Sequence, residues 1–62
     1  MKVYLLQGWF GDIEWLEGVY ASQEKAEAEA TRLRKTRTTE KPVPDWVQGL
    51  CKFGIDEMEV IE

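Results

Sequence analysis

The side chains whose types could perform chemistry are one cysteine and several pairs of acids. Cys51 is the only cysteine, and the chain contains no histidine. A reactive thiolate needs a histidine or a comparable positive neighbour, and Lys52 alone is weak support. The same composition excludes an intramolecular disulfide and the familiar Cys/His zinc sites. We therefore expect neither nucleophilic catalysis at Cys51 nor a zinc site.

Carboxylates are numerous, but their spacing does not favour catalysis. Glu14 and Glu17 fall in one predicted strand, where residues three apart point to opposite faces and make a poor acid/base pair. The C-terminal acids have no EF-hand spacing and no glycine at a turn position, so we interpret them as a solvated strand face. They are Asp56, Glu57, Glu59 and Glu62. We predict a protein that is not an enzyme and that holds no cofactor and no metal.

The basic residues form a cluster that could contact a nucleic-acid backbone. Five of the eight bases lie within ten residues, and the four candidate contacts among them are Arg32, Arg34, Lys35 and Arg37, followed by Lys41. The net charge of −4 argues against general nucleic-acid affinity. No aromatic residue is interleaved with these bases, which argues against single-strand binding. We favour a solvated helix end that complements its own dipole.

Aromatic residues give the strongest signal for binding, because the 62 residues include three tryptophans. Tryptophan and tyrosine are enriched at binding hot spots, whereas a very small domain also uses large side chains to fill its core. Both interpretations stay open. Trp9, Phe10 and Trp15 flank a predicted hairpin turn, whose tip we expect to project away from the helix. The predicted partner contacts are Tyr4, Leu6, Trp9, Phe10, Trp15 and Trp46.

The elements that must position these side chains begin with a hairpin. The segments from Lys2 to Phe10 and from Ile13 to Ala21 are rich in β-branched and aromatic residues. Gly11-Asp12 separates them, either as a two-residue loop or as part of a longer loop that begins at Gly8. Ser22 is a good N-cap, and a helix follows from about Gln23 to Arg37. The helix is expected to bury one narrow face, which carries Ala26, Ala30 and Leu33.

The second half of the chain has a loop and a last strand. Two prolines and polar residues from Thr36 to Asp45 predict the loop. Trp46-Val47 is compatible with one helical turn, a short strand, or a loop whose tryptophan folds back over the core. The segment from Ile55 to Ile61 predicts the last strand. Its imperfect alternation predicts a bulge or register change near Asp56-Glu57.

These elements predict one α+β domain over residues 1–62, with the order β-β-α-β. A right-handed crossover through the helix places the last strand beside the first, which gives a three-stranded antiparallel or mixed sheet of order 2-1-3 with one helix packed on one face. The first strand is apolar on both sides, with Val3 and Leu5 on one and Tyr4 and Leu6 on the other. A single helix covers only one face, so the opposite face is predicted to be uncovered.

Three motifs give the chain a recognisable layout. They are Lys2-Val3-Tyr4-Leu5-Leu6, then Leu16-Glu17-Gly18-Val19-Tyr20-Ala21-Ser22 before an alanine-rich helix, and Phe53-Gly54-Ile55-Asp56-Glu57-Met58-Glu59-Val60. This layout resembles a family of very small uncharacterised domains from bacteria and their phages. The resemblance implies the β-β-α-β fold and a bacterial or phage source, but no activity. Met58 replaces the usual aromatic residue, and the segment around Trp46 has no clear counterpart.

The function that these observations favour is binding to another protein. Excess aromatic content beside a sheet with an uncovered face predicts a small accessory factor, phage-encoded if the resemblance holds, that uses the hairpin tip or the uncovered face. The alternatives are a homodimer and nucleic-acid binding through the basic helix end. The apolar start is too short for a signal peptide or a membrane span, so we expect a cytoplasmic protein that does not contact membranes.

Overall fold

The computed structural model describes residues 1–61 and forms one sheet with one helix on one of its faces. The elements are β1 (Lys2–Phe10), β2 (Ile13–Tyr20), α1 (Gln23–Thr36), a short 3-10 helix (Asp45–Val47) and β3 (Lys52–Glu59). The strand order is β2-β1-β3, and β1 pairs antiparallel with both neighbours. The predicted α+β fold and the order 2-1-3 are confirmed. Glu62, which we counted among the C-terminal acids, lies outside the described residues.

A tight turn joins β1 to β2. Phe10 pairs with Ile13, so only Gly11 and Asp12 form the loop. Gly11 has a φ of 59°, and a positive φ at the first of two loop residues is typical of a type II′ hairpin. Further along, Leu6 pairs with Gly18 but Gln7 pairs with Leu16, which leaves Glu17 as the extra residue of a β-bulge in β2.

The helix begins and ends as the sequence predicts. The Ser22 side chain accepts a hydrogen bond from the Lys25 backbone N–H at 3.3 Å, which caps the N-terminus. Arg37 follows the last turn with a left-handed φ of 57°, and its N–H donates to the Leu33 carbonyl at 2.7 Å. The cap at Ser22 is made by a side chain, whereas the cap at Arg37 is made by the backbone alone.

The connection from α1 to β3 is fastened to the end of the helix. The Arg37 carbonyl accepts hydrogen bonds from the N–H groups of Gly49 at 2.8 Å and Cys51 at 3.1 Å. The Gln48 side-chain amide donates to the Thr39 carbonyl at 2.8 Å and accepts from the Thr39 N–H at 3.0 Å. The segment Trp46-Val47 is one turn of 3-10 helix, the first of the three alternatives, and the Val47 N–H donates to the Pro44 carbonyl at 3.0 Å within it.

Two expectations about the last strand are wrong. β3 begins at Lys52 rather than at Ile55, because the two hydrogen bonds to Arg37 end the loop at Cys51. The β1–β3 register runs without interruption from Lys2 opposite Glu59 to Trp9 opposite Lys52, so no bulge lies near Asp56-Glu57. The apolar alternation breaks there because this end of the sheet carries charge on its helix side. Glu57 forms an ion pair with Lys2 at 2.8 Å.

The core lies between α1 and one face of the sheet. Gly8 of β1 leaves space for the Trp15 indole to lie across it, since a Cβ at that position would collide with the ring. Trp15 also meets Phe53 edge-on, with 6.3 Å between ring centroids. The buried cluster consists of Leu6, Ala30, Leu33, Val47, Cys51 and Phe53. No helix among residues 1–61 has both the length and the apolar character needed to cross a membrane.

Candidate functional site: the open face of the sheet

The face of the sheet opposite α1 carries a set of exposed large apolar side chains. We call it the open face, and the other the covered face. Side chains alternate between faces along a strand, and residues directly opposite each other on neighbouring strands share a face. The register therefore assigns to the open face Val3, Leu5, Gln7 and Trp9 from β1, Glu14, Leu16 and Val19 from β2, and Lys52, Gly54, Asp56 and Met58 from β3.

Four large apolar side chains are exposed on this face. The exposed fractions are 37% for Trp9, 51% for Leu16, 54% for Val19 and 45% for Met58. Val3 and Leu5 lie among them and are partly buried. Single exposed apolar residues are normal on proteins, but a contiguous set on one surface usually marks a binding site.

Trp9 shapes the face at its hairpin end. Its ring reaches across to β3, where a Cβ on Gly54 would lie 3.0 Å from the indole Cη2 atom. On the other side of Trp9 is an open pocket of about 530 Å³. Four of the residues that line it have open-face side chains, and they are Gln7, Trp9, Glu14 and Leu16. Gly8 and Trp15 complete the floor. A bulky projection and a pocket thus lie side by side.

Opposite charges flank the tryptophan. Trp9 pairs with Glu14 of β2 on one side and with Lys52 of β3 on the other, so the three side chains form one row across the open face. All three are exposed. Within residues 1–61 neither Glu14 nor Lys52 forms a salt bridge. Asp56 lies opposite Leu5 on β1 and is a second acid on this face.

The structure divides the predicted aromatic contacts between the two faces. Trp9 alone lies on the open face, whereas Phe10 and Trp15 turn toward α1 and pack against the core cluster. Trp46 is 62% exposed and meets Phe10 edge-on, with 5.9 Å between ring centroids. The hairpin tip therefore does not present Trp9, Phe10 and Trp15 as one surface, because adjacent residues of a strand point in opposite directions.

The two remaining predicted contacts lie on the covered face. Leu6 is fully buried under the helix, and this corrects its assignment, because the side chain has no surface left for a partner. Tyr4 is partly buried and lies between Tyr20 and Glu57 on the helix side. Leu16, Val19 and Met58, which our contact set omits, belong to the open face instead. Pairing from the Gly11-Asp12 turn is enough to place Leu16 opposite Gln7 on this face, whereas Val19 reaches it only because of the bulge at Glu17.

A polar network fastens the helix side of β2 to the loop. The Glu17 carboxylate accepts hydrogen bonds from the Trp15 indole N–H at 2.7 Å and from the Thr39 hydroxyl at 2.6 Å, both through Oε2. Thr39 is buried, and its hydroxyl oxygen also accepts from the Lys41 backbone N–H at 3.1 Å. Every buried side-chain nitrogen or oxygen among residues 1–61 has a hydrogen-bond partner. The network explains the bulge, since Glu17 turns toward Thr39.

The predicted nucleic-acid contacts do not form one free surface. Arg32 bonds to Glu29 on the helix, which lowers the pKa of the Glu29 carboxyl and raises that of the guanidinium. Arg34 donates to the Phe53 carbonyl at 2.9 Å. Lys35 and Arg37 are exposed. A groove of about 440 Å³ beside Arg32 is lined by both signs of charge, including Glu17, Glu29, Glu40 and Lys41.

Cys51 is buried, and the acids of the described chain do not gather around it. Burial raises the pKa of the Cys51 thiol, which keeps it protonated, and the thiol donates to the Val47 carbonyl at 3.5 Å. No group of three or more Cys, Asp or Glu residues within 1–61 is arranged to hold a metal ion. Glu14 and Glu17 lie on opposite faces, so they do not converge on a reacting atom.

Comparison with known proteins gives a family but no function. A protein-family model described as a domain of unknown function (DUF7336) matches residues 1–62. No curated protein and no solved structure matches the chain. The match covers every element described above, so the resemblance to a small uncharacterised domain family is confirmed, and a bacterial or phage source stays a prediction.

Proposed function

We propose that this chain, which belongs to the DUF7336 family of domains of unknown function, is a non-catalytic protein-binding domain that acts through its open face. The observation that carries the proposal is the set of exposed apolar side chains on a regular sheet, namely Trp9, Leu16, Val19 and Met58. A monomeric protein gains nothing from leaving such a patch in water, whereas burying it against a partner is favourable by about 25 cal/mol for each Å² of apolar surface.

The composition of the face fits a protein partner. A tryptophan stands beside aliphatic side chains, and charges lie at the margin, which is the common arrangement of an apolar interface centre with a polar rim. Tryptophan is also the residue type most often found at binding hot spots. The pocket next to Trp9 has walls of mixed character, with Leu16 on one side and Glu14 and Gln7 nearby.

Site-specific photo-cross-linking tests this proposal. A photoreactive amino acid at Leu16 should cross-link to a protein in cells that carry the chain, because the position is exposed on the open face and lines the pocket beside Trp9. The same amino acid at Glu27, which is exposed on the helix on the other side of the molecule, is the matched control. Equal cross-linking from both positions, or none from Leu16, would contradict a role for the open face.

Nucleic-acid binding is the weaker candidate. Only two of its four predicted contacts, Lys35 and Arg37, lack a hydrogen bond from the side chain within residues 1–61, and the overall charge is acidic. A titration of labelled DNA and RNA at low salt, where phosphate contacts are strongest, should give no saturable binding.

A further inference from the structure

We propose that the open face binds a second copy of this chain, sheet against sheet, about a two-fold axis that runs parallel to the strands. This inference rests on the proposed function, because it uses the same face, and it names the partner. A two-fold interface is self-complementary, so each copy must offer both a projection and the site that receives it. The open face meets that requirement around Trp9.

The first argument is the position of the projection and the pocket. The Trp9 ring leans toward β3 and lies over Gly54, while the pocket of about 530 Å³ lies on the β2 side, between Trp9 and Leu16. A two-fold axis along β1 places β3 of one copy over β2 of the other. The tryptophan of each copy then lies over the pocket of its partner, and the volume is ample for an indole.

The second argument is charge. The same axis places Glu14 of one copy opposite Lys52 of the other, and the contact occurs twice because of the symmetry. Neither side chain has a salt-bridge partner within residues 1–61 of its own copy. An axis perpendicular to the strands would place β2 over β2 and would not pair these charges. Charge complementarity therefore selects one of the two face-to-face arrangements.

The third argument concerns size. A domain of this length buries only about 60% of the surface of its unfolded chain, and association is one way in which small domains compensate. From ordinary strand dimensions the open face measures roughly 14 Å by 26 Å, which is an area of roughly 360 Å². This is smaller than the ~800 Å² per partner of a standard interface, so we expect a dimer that dissociates in the micromolar range.

Charge reversal provides a sharp test, with sedimentation equilibrium of the purified chain as the measurement. The wild type should dimerise reversibly. Glu14→Lys and Lys52→Glu should each weaken the dimer by about tenfold or more, since each replaces two attractions with two repulsions. An equimolar mixture of these two variants should associate to within about threefold of the wild type, because both contacts in the mixed dimer are again attractive. Glu27→Lys, on the exposed helix side, should leave the dimer unchanged.

The anchor is tested separately. Trp9→Ala should weaken the dimer by about a hundredfold, because both copies lose their largest contact. Circular dichroism verifies that this variant folds, and the charge-reversed mixture tests the geometry without touching the tryptophan.

The outcomes separate the two proposals. A strict monomer at about 1 mM, or a dimer that ignores both reversals or is not restored in the mixture, overturns the two-fold arrangement. If the chain is a monomer but a photoreactive residue at Leu16 cross-links a different protein, the proposed function stands and only this inference is lost. A monomer that cross-links nothing from Leu16 overturns both.

Discussion

The two faces of this three-stranded sheet carry similar side chains in different surroundings. On the covered face Trp15 lies over Gly8, meets Phe53 edge-on and is partly buried. On the open face Trp9 lies over Gly54 and is exposed, with aliphatic residues beside it. Both faces thus pair a tryptophan with a glycine on the neighbouring strand, which gives the indole a flat backbone surface to rest on.

The difference between the faces comes from what lies above them. The helix brings Ala26, Ala30 and Leu33 down onto one face, and its small residues allow close approach. Nothing among residues 1–61 covers the other face. An apolar side chain on the covered face is buried under the helix, whereas one on the open face is in solvent. Substitutions on the two faces should therefore have different effects on stability.

The largest effect is expected where the covered face is most tightly packed. Leu6→Ala should lower the free energy of unfolding by about 2–5 kcal/mol, through lost burial and the cavity that remains. Leu16→Ala on the open face should cost less than about 1 kcal/mol at protein concentrations where the chain is monomeric. Urea unfolding of both variants gives the comparison. Equal losses would mean that the open face is covered even in the isolated chain.

The helix surface that faces the sheet should not tolerate added volume. Ala30→Leu is expected to destabilise the protein by about 1–3 kcal/mol, because Ala30 is fully buried and the core has no space for a longer side chain. Ala28→Leu on the exposed side of the same helix is the control and should change stability by less than about 0.5 kcal/mol. Thermal denaturation measures both, and a tolerated leucine at position 30 would show that α1 can move away from the sheet.

The polar network around Glu17 and Thr39 should contribute less to the free energy of unfolding than the packed core. Thr39→Val removes the hydroxyl that donates to Glu17 and should cost about 0.5–1.5 kcal/mol, because Glu17 is only partly buried and water can replace the lost donor. Thr38→Val changes an exposed threonine one residue away and serves as the control. Hydrogen exchange of the Lys41 amide, which donates to the Thr39 hydroxyl, should accelerate in the first variant alone.

The smallest effect should appear at alkaline pH. Burial raises the pKa of the Cys51 thiol and of the Tyr20 hydroxyl, so the folded chain holds both protons more tightly than the unfolded chain. Stability from these groups is complete below their unfolded pKa values, near about 8.5 and 10, and is lost as the pH rises through the higher folded values. Urea midpoints should therefore fall from pH ~8 upward. Cys51→Ala should flatten the first part of this decline.

Local signals in the sequence were sufficient for the hairpin, the helix and the strand order. Gly11-Asp12 marked the turn, although its length stayed open, Ser22 marked the start of α1, and the right-handed crossover placed the apolar first strand in the centre of the sheet. These features depend on neighbouring residues and on the handedness of the crossover, which is almost always right-handed.

The remaining features depend on contacts between distant residues. The start of β3 is set by hydrogen bonds from Gly49 and Cys51 to Arg37, more than ten residues earlier. The bulge at Glu17 accompanies its bond to Thr39 and lets Trp15 and Tyr20 both face the helix side despite their odd spacing, which strict alternation does not predict. Leu6 was misassigned because parity alone does not say which side of a strand the helix covers.

The three tryptophans give the molecule a built-in set of optical reporters. Trp15 is partly buried and its indole N–H bonds to Glu17, whereas Trp46 is largely exposed and Trp9 stands on the open face. Variants that retain one tryptophan each would emit at different wavelengths, with Trp46 the most accessible to quenchers in solution. The emission of Trp9 would shift when the open face is occupied, so that occupancy could be followed by fluorescence without any added label.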